Sequence, residues 1–218
     1  MRTLDLGLIP YRDAWRIQEE LHAQVLAGEE EALLVLEHAP VITLGRRTAD
    51  AQKNLLAAPE ALSQLGVEVV ESDRGGDITF HGPGQLVAYP IVRLNDHGLS
   101  VGGYVRRLED AVIATLAHYD IPAFKDDCAI GVWVHLPPSP PQRTQTAKIC
   151  ALGVRIKRGV SMHGIALNLT TDLSYFNLIN PCGLGRPVTS MRNLLGDRTP
   201  EMADLKQAMA DRFVAVFR

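Results

Sequence analysis

An α/β fold of the mixed kind, an α+β arrangement with a mixed sheet and flanking helices, is what this sequence predicts. Three observations predict it. Apolar runs of strand length recur along the chain, several of them adjacent; about three longer stretches carry helical spacing; and a regular β-α-β alternation is missing. With 218 residues, 46% of them hydrophobic, the chain can bury a substantial core. A single domain spanning 1–218 is expected, since neither an internal repeat nor a dividing linker is visible.

Taken in order, Thr3 to Ile9 is apolar and loosely alternating, a first strand. Pro10 can open a helix in which Tyr11, Trp15, Gln18, Leu21 and Val25 share roughly one face. Leu33 to Leu36 is a continuous apolar run that suits a buried strand, and Val41 to Leu44 is a second. Pro59 to Leu65 reads as a short helix closed by Gly66, and Val67 to Val70 as another strand. Leu86 to Val92 is strand-like, with Pro90 favouring an edge or a bulge. Ser100 can cap a helix in which Val101, Tyr104, Val105, Leu108, Ala111, Val112, Thr115, Leu116 and Tyr119 keep helical spacing. Ala129 to Val134 is a strand, and His135 to Thr146, rich in proline, an irregular surface loop. Ala147 to Ile156 and Ser161 to Leu169 form a hairpin through Lys157-Arg158-Gly159. Thr199-Pro200 offers an N-cap and first-turn proline to an amphipathic closing helix, Met202 to Val216.

The bulk numbers exclude some partners. A net charge of −3 leaves no basic footprint for nucleic acid, and no apolar run approaches the roughly 18 residues of a membrane span. Met1-Arg2-Thr3-Leu4-Asp5 begins no long apolar segment, so a signal peptide is not expected. Three cysteines without framework spacing point to reduced thiols and a cytoplasmic protein.

The densest stretch is Arg74-Gly-Gly-Asp-Ile-Thr-Phe-His-Gly-Pro-Gly-Gln85, with four glycines, an arginine, an aspartate and a histidine in twelve residues. Glycine serves where φ is positive or where something must approach the main chain, so the run reads either as a binding site or as a tight turn. No P-loop and no Gly-x-Gly-x-x-Gly is present. His38, His81, His163 and Cys182 match no compact zinc spacing, so no metal is expected, and His38 and His163 read as hydrogen-bonded structural histidines. Cys128 precedes an apolar strand and Cys150 lies inside one, where cysteine acts as a small hydrophobe. Cys182 sits instead in Asn180-Pro-Cys-Gly-Leu-Gly185, beside glycines that expose its sulfur and free N–H groups, and is the favoured reactive thiol. Lys148 is the odd member of its strand, a cation near Ile149, Leu152 and Val154; from the residues alone it snorkels to solvent from a strand end.

Five blocks then carry a resemblance. Glu37-His-Ala-Pro-Val-Ile-Thr-Leu-Gly45, the run from Arg74 continued to Ile91, Lys148-Ile-Cys-Ala-Leu-Gly-Val-Arg-Ile156, Ser161-Met-His-Gly-Ile-Ala-Leu-Asn168 and Asn180-Pro-Cys-Gly183 resemble, in order, those of octanoyl-[acyl-carrier-protein]:protein octanoyltransferases. The resemblance implies the catalytic-domain fold of biotin and lipoate protein ligases. It implies that an octanoyl group passes from acyl carrier protein to Cys182 as a thioester. From there it passes to a lysine on lipoyl domains of 2-oxoacid dehydrogenase complexes and the glycine cleavage H protein. Lys148 is then the basic partner. The substrate-binding positions are Arg74, Gly75, Gly76, Asp77, Ile78, Thr79, Phe80 and His81, then Ala151, Leu152 and Gly153, then Gly164, Ile165 and Ala166. No cofactor is implied: thioester to amide runs downhill without ATP or metal. The loop from His135 to Thr146 looks longer than the family's usual connection. An ATP-dependent lipoate or biotin ligase, a thioesterase using the same cysteine, and a non-catalytic acyl-binding module are the rival readings.

Overall fold

The apolar runs fold into two sheets. In chain order the strands are β1 (Arg2–Ile9), β2 (Ala32–His38), β3 (Val41–Leu44), β4 (Glu68–Glu71), β5 (Ile78–His81), β6 (Gln85–Ile91), β7 (Ala123–Lys125), β8 (Val132–His135), β9 (Thr146–Lys157) and β10 (Val160–Asn168). Seven form a mixed sheet in the order β1-β2-β6-β10-β9-β8-β7, and three form a smaller one, β4-β3-β5. The helices are α1 (Tyr11–Leu26), α2 (Pro59–Gln64), α3 (Val101–His118), α4 (Met191–Leu195) and α5 (Met202–Val216). The computed structural model describes residues 1–46, 52–136, 145–180 and 186–217.

β2 is apolar without alternation because both faces of the large sheet are covered. Leu33 and Val35 pack with Leu108, Val112, Met209 and Phe213 of α3 and α5. Leu34 and Leu36 pack with Ala14, Leu21 and Val25 of α1. The small sheet has its own cluster, in which Ile42, Ile78 and Phe80 meet Leu62, Phe176 and Ile179. Ser100 caps α3 as expected, its hydroxyl accepting the Gly103 N–H at 3.1 Å.

Four expectations need adjustment. Pro90 is in a central strand, not at an edge: β6 pairs with both β2 and β10. It is tolerated because the β10 register runs only from Gln85 to Ala88, while the Pro90 carbonyl accepts hydroxyls from Ser161 (2.7 Å) and Tyr104 (3.2 Å). The predicted strand from Ala129 begins only at Val132. Val101 faces solvent. The closing helix starts after Glu201 without a side-chain cap, because the Thr199 hydroxyl donates back to the Gly196 carbonyl at 2.6 Å.

The Lys157-Arg158-Gly159 hairpin is present: Val160 pairs with Lys157, with Arg158 (φ 54°) and Gly159 (φ 83°) as the two turn residues. The proline-rich stretch also joins neighbouring antiparallel strands, since His135 pairs with Thr146 and Leu136 N–H donates to Gln145 at 2.8 Å. Its residues 137–144 lie outside the described residues. Among the described residues no helix is long and apolar enough to cross a membrane.

Candidate active site

Three of the sequence blocks meet along β9. Ala151, Leu152 and Gly153 face Ala166, Ile165 and Gly164 of β10 in antiparallel register. The glycine-rich run crosses at the same place: Gly75 N–H donates to Val154 at 2.9 Å. The glycines here serve backbone against backbone. A Cβ on Gly153 would sit 2.8 Å from the Gly75 carbonyl, one on Gly45 2.3 Å from that of Gly76, and one on Gly164 2.2 Å from that of Ala88. Arg74, 7% exposed, ties the junction to the small sheet. Its Nε and Nη2 donate to the Thr43 hydroxyl at 3.0 and 2.9 Å, and Nη2 also to the Thr43 carbonyl at 2.7 Å.

The other expected binding residues divide. Ile78 and Phe80 are committed to the small sheet's core, Phe80 stacking on Tyr175 at 4.7 Å. Ile165 and Ala166 are buried in the two cores of the large sheet. Thr79 and Asp77 are half-buried, and Gly76 is exposed. Asp77 accepts from Asn54 at 2.7 Å through Oδ2, while its Oδ1 is buried without a hydrogen-bond partner.

His81 belongs to a buried polar group that the sequence did not reveal. Tyr11 stacks with both His81 and His163, at 6.2 and 6.4 Å. Burial holds all three imidazoles neutral: His38 falls to about 4, His163 to about 3, and His81 well below the usual value. Neutral His38 binds the Tyr89 hydroxyl (2.8 Å) and the Ile9 carbonyl (3.1 Å). His163, at φ 57°, hydrogen-bonds Asp73 at 2.7 Å, and Asp73 pairs with Arg155. The structural reading of His38 and His163 therefore fits their surroundings.

Lys148 does not simply extend to solvent. Val132 pairs with Cys150 but Trp133 pairs with Lys148, so Ile149 is an extra residue on β9. Such a bulge re-aims the neighbouring side chain. Ile149 and Cys150 can then both enter the core while half-buried Lys148 turns elsewhere. Its Nζ lies 4.9 Å from the centre of the Trp133 ring, and the Arg186 guanidinium 3.8 Å from the same ring. Arg186 is held by Asp126 (2.7 Å) and Thr146 (2.8 Å), and its hydrogen bond keeps the Asp126 carboxyl below the usual range. A Cβ on Gly131 would touch Lys148 Cε at 3.0 Å. Consecutive Ile149-Cys150 after a lysine, breaking strand alternation, was the available signal for the bulge. Trp133 and Arg186 had none.

The main chain of Lys148 is bracketed as well. Its N–H donates to Pro187 and its carbonyl accepts from Thr189, both at 2.9 Å. Cys182 lies outside the described residues. Of the other thiols, Cys150 is buried as expected, and burial pushes its thiol far up, whereas Cys128 is exposed and not packed as a small hydrophobe. A surface groove of about 320 Å³ between α1 and Lys157-Arg158 is not at this site. Its Lys157 is nine residues along β9 from Lys148, roughly 30 Å at about 3.3 Å per residue.

Residues 10–214 match the family model of the lipoyl protein ligase A/B catalytic domain. An octanoyltransferase of Chloroflexus aggregans is 46% identical over all of this chain and 96% of its own length. One of Bacteroides fragilis is 43% identical over 98% of the chain and 96% of its length. Among solved structures, a lipoate-protein ligase A bound with ATP superposes with a TM-score of 0.78 at 15% identity, covering 99% of this chain and 84% of the other. The Aquifex aeolicus biotin protein ligase with biotin and ATP gives 0.57 at 11%, covering 99% and 70%. At those identities the likeness is one of fold.

Proposed function

The chain belongs to the lipoyl protein ligase A/B catalytic-domain family, and we propose that it moves an octanoyl group from acyl carrier protein to a lipoyl-domain lysine through a thioester on Cys182. The Chloroflexus aggregans octanoyltransferase matches this chain over 96% of its own length, whereas the ATP-bound ligase shares little beyond fold. The observation that carries the reading is the bracketing of Lys148 by Pro187 and Thr189, five and seven residues past Cys182. On the other side Asn180, two residues before it, donates its N–H to the Asn54 carbonyl at 2.7 Å. The described residues flanking that cysteine in sequence are thus held, Asn180 by Asn54 and Pro187 and Thr189 by Lys148, which supports pairing Cys182 with Lys148 in this reading.

In the first step the Cys182 thiolate attacks the carrier thioester. A C–S bond forms, the carrier's C–S bond breaks, and its thiolate leaves to be protonated. An adjacent ammonium favours a thiolate, the role given to Lys148. In the second step the acceptor lysine amine attacks the acyl-enzyme. The C–N bond forms, the enzyme C–S bond breaks, and Lys148, once neutral, takes the amine proton. Burying a tail of about seven carbons contributes on the order of 5 kcal/mol at about 0.8 per methylene. The 2-oxoacid dehydrogenase lipoyl domains and the glycine cleavage H protein are the acceptors this reading names, in the cytoplasm.

The test is transfer from octanoyl-carrier protein to an isolated lipoyl domain, with no nucleotide added. Wild type should octanoylate the domain, and Lys148→Ala should be reduced at least about 100-fold. Octanoate release without domain labelling would favour a thioesterase, and a requirement for ATP with AMP formation would favour a ligase.

A further inference from the structure

We propose that Asn168 is a positioning residue, which with Gln85 holds the Pro187–Thr189 segment against β9 and thereby sets Lys148; its catalytic consequence rests on the acyl-transfer reading above. β10 pairs with β9 from Val160 to Leu167, where Leu167 meets Cys150. Beyond that point β10 leaves the ladder, and Val188 takes its place beside Lys148 as an isolated parallel bridge. Two backbone hydrogen bonds are a slight hold for a segment containing a proline, which has no N–H to give.

Side-chain amides supply the rest. Asn168, the last residue of β10 and 4% exposed, donates Nδ2 to the Thr189 carbonyl at 3.0 Å. Its Oδ1 accepts from Gln85 Nε2 at 2.9 Å, and Gln85 Oε1 in turn faces His81 Nδ1 at 2.7 Å. With N–H donating at each link, the direction is fixed from His81 through Gln85 and Asn168 to Thr189. Thr189 then passes its own N–H to the Lys148 carbonyl. The Arg192 N–H, bound to Leu169 at 2.9 Å, anchors the start of α4 separately, so the relay acts on 187–189 and not on the whole connection. The run from Arg74 to Gln85 therefore reaches the main chain of Lys148 through its last residue.

Two variants test this. Asn168→Leu keeps the branched shape and loses the donor. Gln85→Glu keeps the shape but, ionised, cannot donate to Asn168, and so reverses the relay. Ser161→Ala, also in β10 but bonded to Pro90 and Val92, is the control for general weakening of that strand. Amide hydrogen exchange should quicken at Lys148 and Thr189 in both relay variants, with Leu152 and Ile165 unchanged, and at neither site in Ser161→Ala. In the transfer assay kcat should fall roughly 10- to 100-fold, as expected for a misplaced reacting group, while KM for the lipoyl domain stays within about twofold and the pH–rate profile moves. Unchanged exchange at Lys148 and Thr189 would overturn the positioning claim whatever the activity. Changed exchange with wild-type kcat and pH profile would overturn its catalytic consequence. Loss of wild-type transfer, or full activity of Lys148→Ala, would instead strike the acyl-transfer reading and leave the exchange result to decide the relay.

Discussion

The two ends of β9 are built differently. From Ala151 to Lys157 the strand is laddered to β10 without interruption, and Gly153 and Gly164 admit neighbouring backbone, Gly75 and Ala88, at distances no side chain allows. At Lys148 the strand is bulged, its partner segment is a single bridge, and side chains complete the hydrogen bonding. The difference is between a scaffold whose geometry follows from main-chain contact and a site whose geometry depends on individual side chains. Damage to the first should appear as lost stability, and damage to the second as lost rate.

The largest expected effect lies at the scaffold end. Gly164→Ala drives a Cβ to within 2.2 Å of the Ala88 carbonyl in a central strand, and should cost about 3 kcal/mol or more in urea unfolding. An unfolding midpoint unchanged by this substitution would break the comparison. Next is acid. The unfolded chain takes up protons near pH 6.5, whereas folded His38 and His163 refuse them until about 4 and 3. Their contribution to stability is full above about pH 6.5 and is lost progressively as pH falls from there through about 4 and 3, by a few kcal/mol. Urea midpoints across that range should fall, and less steeply in His38→Gln. The smallest stability effect and a clear kinetic one belong to the Lys148 end. Arg186→Gln should slow transfer roughly tenfold with little change in the unfolding midpoint, since the guanidinium and Lys148 share the Trp133 ring. Unfolding in place of slowing would show that this end, too, is scaffold.

The contrast also explains what was legible in the sequence. Strands β2, β3, β9 and β10 and helices α1 and α3 announced themselves through apolar periodicity and local turn chemistry, which need only neighbours in the chain. β7 is three residues long and half-buried, too short for a pattern. Pro90 looked like an edge residue because its tolerance depends on hydroxyls from Ser161 and Tyr104, 71 and 14 residues away. Within the site, the blocks around Gly75, Gly153 and Gly164 were visible as glycine-containing segments, but their reason, backbone close against backbone, required the fold. The roles of Trp133, Arg186, Asn168 and the Tyr11–His81–His163 stack went unseen, since each takes its meaning from a partner distant in sequence. Gln85 was in view as the last letter of the densest run, with nothing to show that it points toward Asn168.

The central claim, that Cys182 carries the acyl group beside Lys148, is tested most directly by intact mass spectrometry after brief mixing with octanoyl-carrier protein. One octanoyl group should add to the wild-type chain and to Lys148→Ala more slowly, map to the peptide containing Cys182, and be absent in Cys182→Ser. A label on exposed Cys128, or one that persists in Cys182→Ser, would contradict it.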